Sequence, residues 1–267
     1  MNRKFIIGLI LTLLISLSGC AKNGDNTLTI GMELQYPPFE TTNIDGEPEG
    51  ISVDLAYALG KHLNRNVEIQ NIAWDGLIPA IQSGKIDIII SSMTVRPDRE
   101  EVVSFSKPYA HATLGILANK DSGIKSIDDL NQPGKSVAVK IGTTGYLYAT
   151  ENLSEAKINT FDKADTAILE VSQKKSDAFL YDQMTIFNAQ KKYNDTTVAI
   201  LDQFQSDTEP WAMAVKKDNK ELLVEINDFI DEFKANGGFD DLGNKYLKEM
   251  KETFDDLGLE FFFKPRD

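Results

Sequence analysis

The stretch that most constrains this chain is Ile86–Arg99, an apolar run that turns abruptly polar. Three consecutive isoleucines, 88–90, indicate a strand buried on both faces of a sheet. Hydroxyl side chains and then Arg99 follow this strand directly; the hydroxyl residues are Ser91, Ser92 and Thr94. In open α/β sheets, ligands usually lie at the carboxyl ends of strands, and arginine binds a carboxylate with two parallel hydrogen bonds. The stretch therefore indicates an anion site. The alternative is a polar loop carrying a surface arginine.

Composition excludes one class of partner. The 267 residues carry a formal net charge of −13, with 42% hydrophobic and 26% charged residues. Nucleic-acid binding requires a basic surface that neutralises phosphates, and no such surface is evident in the sequence. The chain is long enough for one large core or for two lobes.

The N-terminus predicts export. Arg3 and Lys4 precede the apolar run 5–17, which is shorter than a membrane-spanning helix needs, although an uncleaved anchor is an alternative. The sequence Leu-Ser-Gly-Cys then ends at Cys20, which is the single cysteine, so no disulfide can form within the chain. This sequence resembles a bacterial lipoprotein cleavage box. We therefore expect a signal peptide at 1–19, lipidation of Cys20 and a lipid-anchored linker at 20–26.

The rest of the chain alternates strand and helix patterns, which is typical of an α/β fold with parallel strands. The first helix is expected after Ser52, a candidate N-cap, and an amphipathic helix is expected over 219–235. Two similar α/β units follow one another, and extended crossings near 111–119 and 202–212 join them. This organisation predicts two lobes with a ligand cleft between them. The expected first lobe is 27–113 with 207–267, and the expected second lobe is 114–206.

Several short motifs, in order along residues 27–250, resemble the polar amino acid-binding proteins of bacterial ABC importers (solute-binding family 3). The motifs are Tyr36-Pro-Pro-Phe-Glu40, Gly50-Ile-Ser-Val-Asp-Leu-Ala56, Trp74-Asp-Gly-Leu-Ile-Pro-Ala80, Ser91-Ser-Met-Thr94 with Arg99, Phe105-Ser-Lys-Pro-Tyr109, Gly142-Thr-Thr-Gly145 and Asp177-Ala178 with Asp182. This resemblance implies the type II periplasmic-binding-protein-like fold, with two crossover segments and the ligand in the cleft between the lobes. It also implies closure of the lobes around the ligand.

The resemblance also implies roles for the ends of a bound amino acid. Arg99 and Thr94 would hold the α-carboxylate, and Thr143 and Thr144 would reach it from a helix N-terminus, where anions are favoured. Asp182, helped by Ser92, would bind the α-ammonium, and Ser91 is a further expected ligand-binding residue. The alternative for the two threonines and for Asp182 is ordinary helix capping, and one aspartate can serve both purposes.

The side-chain end of the expected site leaves the ligand open. Tyr36 and Trp74 would enclose the ligand side chain, although aromatic residues more often belong to a core. Glu33 favours a cationic side chain, whereas Lys140, which flanks the second-lobe contacts with Tyr181, favours glutamine or another neutral polar ligand. Two opposite charges in one cleft also have a simpler interpretation, which is that they pair with each other.

The expected function is that of the extracytoplasmic substrate-binding component of an ABC importer. It would bind a free polar L-amino acid, deliver it to a membrane permease and act as a lipid-anchored monomer on the outer face of the membrane or on the periplasmic side. Two other classes share this architecture: dehydratase-like enzymes, for which Glu33 and Lys140 could serve as acid and base, and ligand-sensing domains. Neither His62 nor His111 suggests a metal or catalytic role, so no metal, cofactor or catalytic residue is expected.

Overall fold

The computed structural model describes residues 26–202, 204, 209–257 and 263. The predicted signal peptide, Cys20 and all of the linker except Asn26 lie outside these residues. So does the predicted boundary at 206–207, and the two predicted lobe boundaries therefore stay a prediction. Within the described part of the chain, no helix has both the length and the apolar composition that crossing a membrane requires.

Two five-stranded sheets, each covered by helices, form the two lobes, as the sequence predicts. The first sheet has the strand order β4-β1-β5-β14-β6, and the second has the order β10-β9-β11-β8-β12. The strands of the first are β1 (Thr27–Met32), β4 (Asn66–Asn71), β5 (Ile88–Ile89), β6 (Val103–Phe105) and β14 (Ala214–Lys216). Those of the second are β8 (Leu114–Asn119), β9 (Ser136–Lys140), β10 (Lys157–Phe161), β11 (Ala178–Asp182) and β12 (Thr197–Ile200).

Nine helices are described, six with the first sheet and three with the second. The former are α1 (Ile51–His62), α2 (Leu77–Ser83), α3 (Pro97–Glu100), α7 (Lys220–Ala235), α8 (Gly238–Tyr246) and α9 (Lys248–Leu257). The latter are α4 (Thr144–Asn152), α5 (Ala164–Ser172) and α6 (Gln183–Lys192). Two single 3₁₀ turns, Trp74–Gly76 and Lys120–Ser122, precede α2 and follow β8.

Parallel pairing at the centre of each sheet sets the direction in which the strands end. β1 runs parallel to β4 and β5, and β9 runs parallel to β10 and β11. The strands that return after the crossings pair antiparallel: β14 with β5 and β6, and β8 with β11 and β12. The carboxyl ends of β5, β9 and β11 are therefore the places from which polar side chains can enter a shared cleft.

The two predicted crossings contain a pair of short strands that link the lobes. β7 (Ala110–Ala112) and β13 (Glu209–Trp211) pair antiparallel, with Trp211 opposite Ala110. An isolated bridge joins Trp211 to Thr94, which ties the crossing to the loop after β5. A small hairpin, β2 (Thr41–Thr42) with β3 (Pro48–Glu49), completes the described strands.

Burial agrees with the sequence pattern where that pattern was strongest. The isoleucines 88–90 are fully buried, as expected for a strand covered on both faces. The predicted amphipathic helix is confirmed as α7: Asn219 caps it by accepting a hydrogen bond from the Leu222 amide, and its apolar face packs into the core of the first lobe.

The prediction that Ser52 is the N-cap of the first helix is wrong. α1 begins at Ile51 with Gly50 as its N-cap, and Ser52 is already inside the helix. The amides of Ile51 and Ser52 donate to the carbonyls of Pro38 and Phe39, at 3.0 and 2.8 Å. Gly50 has φ +128°, a conformation that is essentially restricted to glycine, so the backbone itself starts the helix and the Ser52 hydroxyl is free for another partner.

We predict that Gly50→Ala destabilises the protein by about 3 kcal/mol or more, because the new Cβ would lie 2.3 Å from the Phe39 carbonyl oxygen in a disfavoured conformation. Gly46→Ala is the matched control. Gly46 also has a positive φ, +83°, but an added Cβ meets nothing within 4 Å, so a loss of only about 1 kcal/mol is expected. Urea unfolding of both variants checks this, and equal losses would contradict it.

Candidate functional site

A cavity between the two lobes, with about 470 Å³ of empty space, collects the polar side chains that follow β5, β9 and β11. Fourteen residues line it: Glu33, Tyr36, Glu40, Trp74, Ser91, Ser92, Thr94, Arg99, Thr143, Thr144, Tyr181, Asp182, Glu209 and Trp211. Eleven of the twelve predicted ligand-binding residues are among them. The twelfth, Lys140, pairs with Glu33.

Arg99 is a buried cation held between the lobes. It is 4% exposed, in α3, and its Nη1 donates to the Thr94 carbonyl at 2.8 Å while Nη2 donates to the Gly142 carbonyl at 3.0 Å. The guanidinium lies over the Trp74 ring, 5.2 Å from its centroid. Burial lowers the pKa of Arg99 to about 9, which leaves it charged at neutral pH. A guanidinium has five N–H donors, so this one retains donors for an anion in the cavity.

The second lobe adds a helix N-terminus to the same wall. Thr143 is the N-cap of α4: its hydroxyl accepts from the Tyr146 amide at 3.4 Å and donates to the Lys140 carbonyl at 2.7 Å. Thr144 is the first residue of this helix. Backbone amides at a helix N-terminus favour negative charge, and Arg99 faces the same cavity. This part of the site can therefore bind a carboxylate.

Asp182 is a buried acid that caps a helix, which is the alternative role that the sequence suggested for it. It is the N-cap of α6, and Oδ1 accepts from the Thr185 amide at 2.9 Å. Oδ2, in contrast, is buried and makes no hydrogen bond of normal geometry, and neither does the hydroxyl of Tyr36, although the Tyr36 and Asp182 side chains lie close enough to interact. Burial raises the pKa of Asp182. A buried carboxylate oxygen without a well-formed hydrogen bond is costly unless a ligand donates to it, so Asp182 can accept an ammonium group while capping its helix.

Glu33 and Lys140 form a buried ion pair that joins the two lobes. The Trp74 amide donates to the other oxygen of Glu33 at 3.4 Å, and the Lys140 ammonium lies 5.6 Å from the Trp74 ring centroid. The simplest interpretation of these two charges, that they pair with each other, is therefore what the structure shows. Trp74 contacts both buried cations of the cleft.

Aromatic rings form the remaining wall of the cavity. Tyr36 stacks on Phe39 with ring centroids 5.3 Å apart and meets the edges of Tyr181 and Trp211 at 6.1 and 5.9 Å. These contacts hold Tyr36 rigidly, and Tyr181 comes from the second lobe, so the cluster spans the cleft. Aromatic faces of this kind accommodate the apolar part of a ligand.

Three lining residues were not predicted as site residues: Glu40, Glu209 and Trp211. Each lies in a stretch that the sequence pattern singled out: Glu40 ends the Tyr36–Glu40 motif, and the other two lie in the predicted crossing near 202–212, where they form the ends of β13. The Thr94 hydroxyl donates to Glu209 at 3.4 Å. The signal was their position beside other motif residues, but nothing local distinguished a cavity carboxylate from a surface one.

Comparison with known proteins identifies the family. The model of bacterial extracellular solute-binding proteins, family 3, matches residues 28–249. The chain belongs to this family. The periplasmic-binding-protein-like fold expected from the motifs is thereby confirmed, and the family is extracytoplasmic.

Similar proteins carry names of amino acid-binding proteins. The L-cystine-binding protein TcyJ of Escherichia coli (strain K12) is 31% identical over 83% of this chain and 82% of its own length. The ancestral amino acid-binding protein AncCDT-1, a precursor of cyclohexadienyl dehydratase, is 38% identical with a TM-score of 0.75, over 83% of this chain and 95% of that one. An ancestral arginine-binding protein bound to arginine is 34% identical with a TM-score of 0.77, over 83% and 98%. These relatives are named as binding proteins, and this chain is a binding protein rather than an enzyme.

We predict a strong coupling between Glu33 and Lys140 in a double-mutant cycle. Glu33→Gln and Lys140→Met each leave one buried charge unpaired, so each is expected to lower the free energy of unfolding by about 3–5 kcal/mol, and the double variant by clearly less than the sum. Lys174 and Asp121 form the matched exposed pair, for which a coupling below about 0.5 kcal/mol is expected. Additive losses at Glu33 and Lys140 would show that the two charges do not interact.

Proposed function

We propose that this chain is the extracytoplasmic substrate-binding component of an ABC importer, which binds a free polar L-amino acid between its lobes and delivers it to the membrane permease. The observation that supports this most is one interlobe cavity lined by a buried cation, Arg99, and by Asp182, whose Oδ2 makes no hydrogen bond of normal geometry. A zwitterion supplies the two groups that these side chains need. Membership of family 3 agrees with this function.

In the proposed complex, the α-carboxylate accepts from Arg99 and from Thr94, and the N-terminus of α4 at Thr143 and Thr144 contributes its amides. The α-ammonium donates to Oδ2 of Asp182 and to the serine loop at Ser91 and Ser92. The first set of contacts comes from both lobes, so ligand stabilises the closed form by contacts that an open form lacks.

The ligand side chain would lie against Tyr36 and Trp74 and extend towards Glu33, Lys140 and Tyr181. Because Lys140 already neutralises Glu33, a cationic side chain would have to displace a buried partner, whereas an amide can donate to Glu33 and accept from Lys140. We therefore propose a neutral polar side chain, with glutamine as the model ligand. The relatives of this chain described above carry arginine and cystine in their names. The identity of the ligand side chain is therefore the part of the proposal to test.

The proposal includes the membrane anchor. After removal of residues 1–19, Cys20 would carry lipid and tether the protein as a monomer to the outer face of the cell membrane, or to the periplasmic side in a cell with two membranes. The sequence Leu17-Ser-Gly-Cys20 after a basic start supports this, and it lies outside the described residues.

We predict that Arg99→Ala and Asp182→Asn each weaken amino acid binding at least about 100-fold, since each removes a buried charged contact worth several kcal/mol. Asp182→Asn is chosen because asparagine is as good an N-cap, so α6 is retained while the charge is lost. Arg65→Ala, which removes an arginine outside the cavity, is the control. Isothermal titration calorimetry on residues 21–267, with circular dichroism to verify folding, is the measurement; binding at wild-type strength in either variant would refute the assignment.

We predict that the wild-type protein prefers L-glutamine to L-arginine and L-lysine, and that Lys140→Met reverses this order by exposing the Glu33 charge to the ligand. A thermal-shift panel of the twenty amino acids and L-cystine gives the ranking, because binding to the native state alone raises the melting temperature. Lys174→Met, an exposed site, should leave the ranking unchanged. A wild-type preference for arginine or lysine would reject the neutral side chain but keep the binding function, and no shift with any amino acid would reject the function itself.

A further inference from the structure

Glu40 is a buried acid of the cavity wall that the proposed ligand contacts do not use. It is 1% exposed and lines the cavity. The Tyr36 amide donates to its carbonyl at 2.8 Å, and its own amide donates to the Tyr36 carbonyl at 2.9 Å, which fixes its position at the end of the turn that carries Tyr36. A buried carboxyl group so firmly placed requires partners.

Its partners are three serine hydroxyls from two other segments. Ser52 donates to Oε2 at 2.6 Å, Ser92 donates to Oε2 at 3.1 Å, and Ser91 donates to Oε1 at 3.4 Å. Ser91 in turn accepts from the Glu33 amide at 3.0 Å. The carboxylate therefore determines where the hydroxyl hydrogens of the Ser91–Ser92 loop point.

The orientation of Ser92 has a direct consequence for the cavity. Because its hydrogen is directed at Glu40, its oxygen keeps its lone pairs available as acceptors for a donor in the cavity. Ser92 also has φ +49°, a left-handed conformation that a non-glycine residue adopts at a cost, and the bond to Glu40 helps to hold it there.

We propose that Glu40 is a positioning residue of the binding site, whose ionised form orients Ser91 and Ser92 as acceptors for the α-ammonium, so that binding of an amino acid releases a proton from the Glu40 carboxyl group to the solvent. This inference rests on the proposed function, because it takes the ammonium group to lie at the serine loop.

The electrostatics of the cavity support the release of this proton. The pKa of Glu40 is raised to about 8: burial raises it most, the hydrogen bonds from Ser52 and Ser92 oppose this, and the Glu33 charge makes a smaller raising contribution. The other ionisable groups that face Glu40 are the hydroxyls of Tyr36, Tyr109 and Tyr181, whose pKa values burial raises, so they stay neutral. Glu40 in the free protein is therefore largely protonated at neutral pH. A protonated carboxyl donates to a serine oxygen, and where that oxygen belongs to Ser91 or Ser92 it competes with the ligand, whereas an incoming cation lowers the pKa.

The link between ligand binding and ionisation of Glu40 predicts the direction in which affinity changes with pH. The ionised form binds and the protonated form predominates below pH 8, so affinity should rise with pH and level off once the free protein is ionised. The rise cannot exceed tenfold per pH unit, because one proton is released. We choose pH 6–8, where the α-ammonium group of a free amino acid stays protonated.

The test is isothermal titration calorimetry at pH 6, 7 and 8, in buffers of different ionisation enthalpy, with L-glutamine or, if the panel shows tighter binding by another amino acid, with that one. The wild-type Kd should fall several-fold per pH unit with release of a fraction of a proton that approaches one at pH 6. Glu40→Gln keeps the shape of the side chain but replaces one acceptor oxygen with an amide group that only donates, and it cannot titrate. At pH 8 this variant should bind more weakly than the wild type, with a higher Kd. Its Kd should not change with pH.

Ser52→Ala provides a second, independent readout. It removes the shortest hydrogen bond to Glu40 without touching the cavity lining, and that bond lowers the pKa of Glu40. The variant should therefore move the pH-dependent region of Kd to higher pH, an effect that a purely structural role of Glu40 would not produce. Circular dichroism establishes that both variants are folded.

The outcomes separate the two proposals. If Glu40→Gln keeps the wild-type dependence of Kd on pH, or if the wild-type protein binds without proton release, the inference about Glu40 is wrong while the binding function stands. If the wild-type protein binds no amino acid at any pH, the proposed function is rejected and this inference with it.

Discussion

The buried cation of Arg99 is the constraint on which the arrangement of the two lobes depends. A guanidinium taken out of water costs several kcal/mol unless acceptors replace the lost solvent. One acceptor is the Thr94 carbonyl of the first lobe, and the other is the Gly142 carbonyl of the second, so the cation is satisfied by backbone only when the lobes are together. An anion in the cavity would complete its partners. Under the proposed function, the same requirement would favour closure and select a ligand with a negative group.

The fold brings the remaining groups to this cation because parallel strands in each sheet end at the same edge. The loop after β5 carries the serines and Thr94, the end of β9 carries Lys140, and the end of β11 carries Asp182. Each strand is anchored by a fully buried apolar run, which leaves the polar residues at its end little freedom. The positions of the functional side chains thus follow from the packing of the two cores.

The sequence predicted the parts of the site that local pattern determines. Arg99 followed a run of isoleucines and Asp182 followed a buried strand, so both could be placed at a sheet edge without knowing what faced them. Ser52 shows where this approach fails: a serine before an apolar helix favours a cap, but the φ of +128° at Gly50 starts the helix earlier and gives the hydroxyl to Glu40, twelve residues away. The pairing of Glu33 with Lys140 spans 107 residues and depends on how the lobes meet, which no local spacing encodes.

The balance of charges at the cleft also explains how Glu40, a buried acid whose partners are serine hydroxyls, can remain there without a cationic partner. Two bases, Arg99 and Lys140, face four acids: Glu33, Glu40, Asp182 and Glu209. Four ionised carboxylates would repel one another in this largely buried cavity, and a zwitterion of zero net charge does not correct the imbalance. Protonation of Glu40 does, because burial raises its pKa to about 8. In the proposed complex, the ammonium end of an amino acid would stabilise the ionised form of Glu40, and binding would then be coupled to protonation by the same shortage of positive charge.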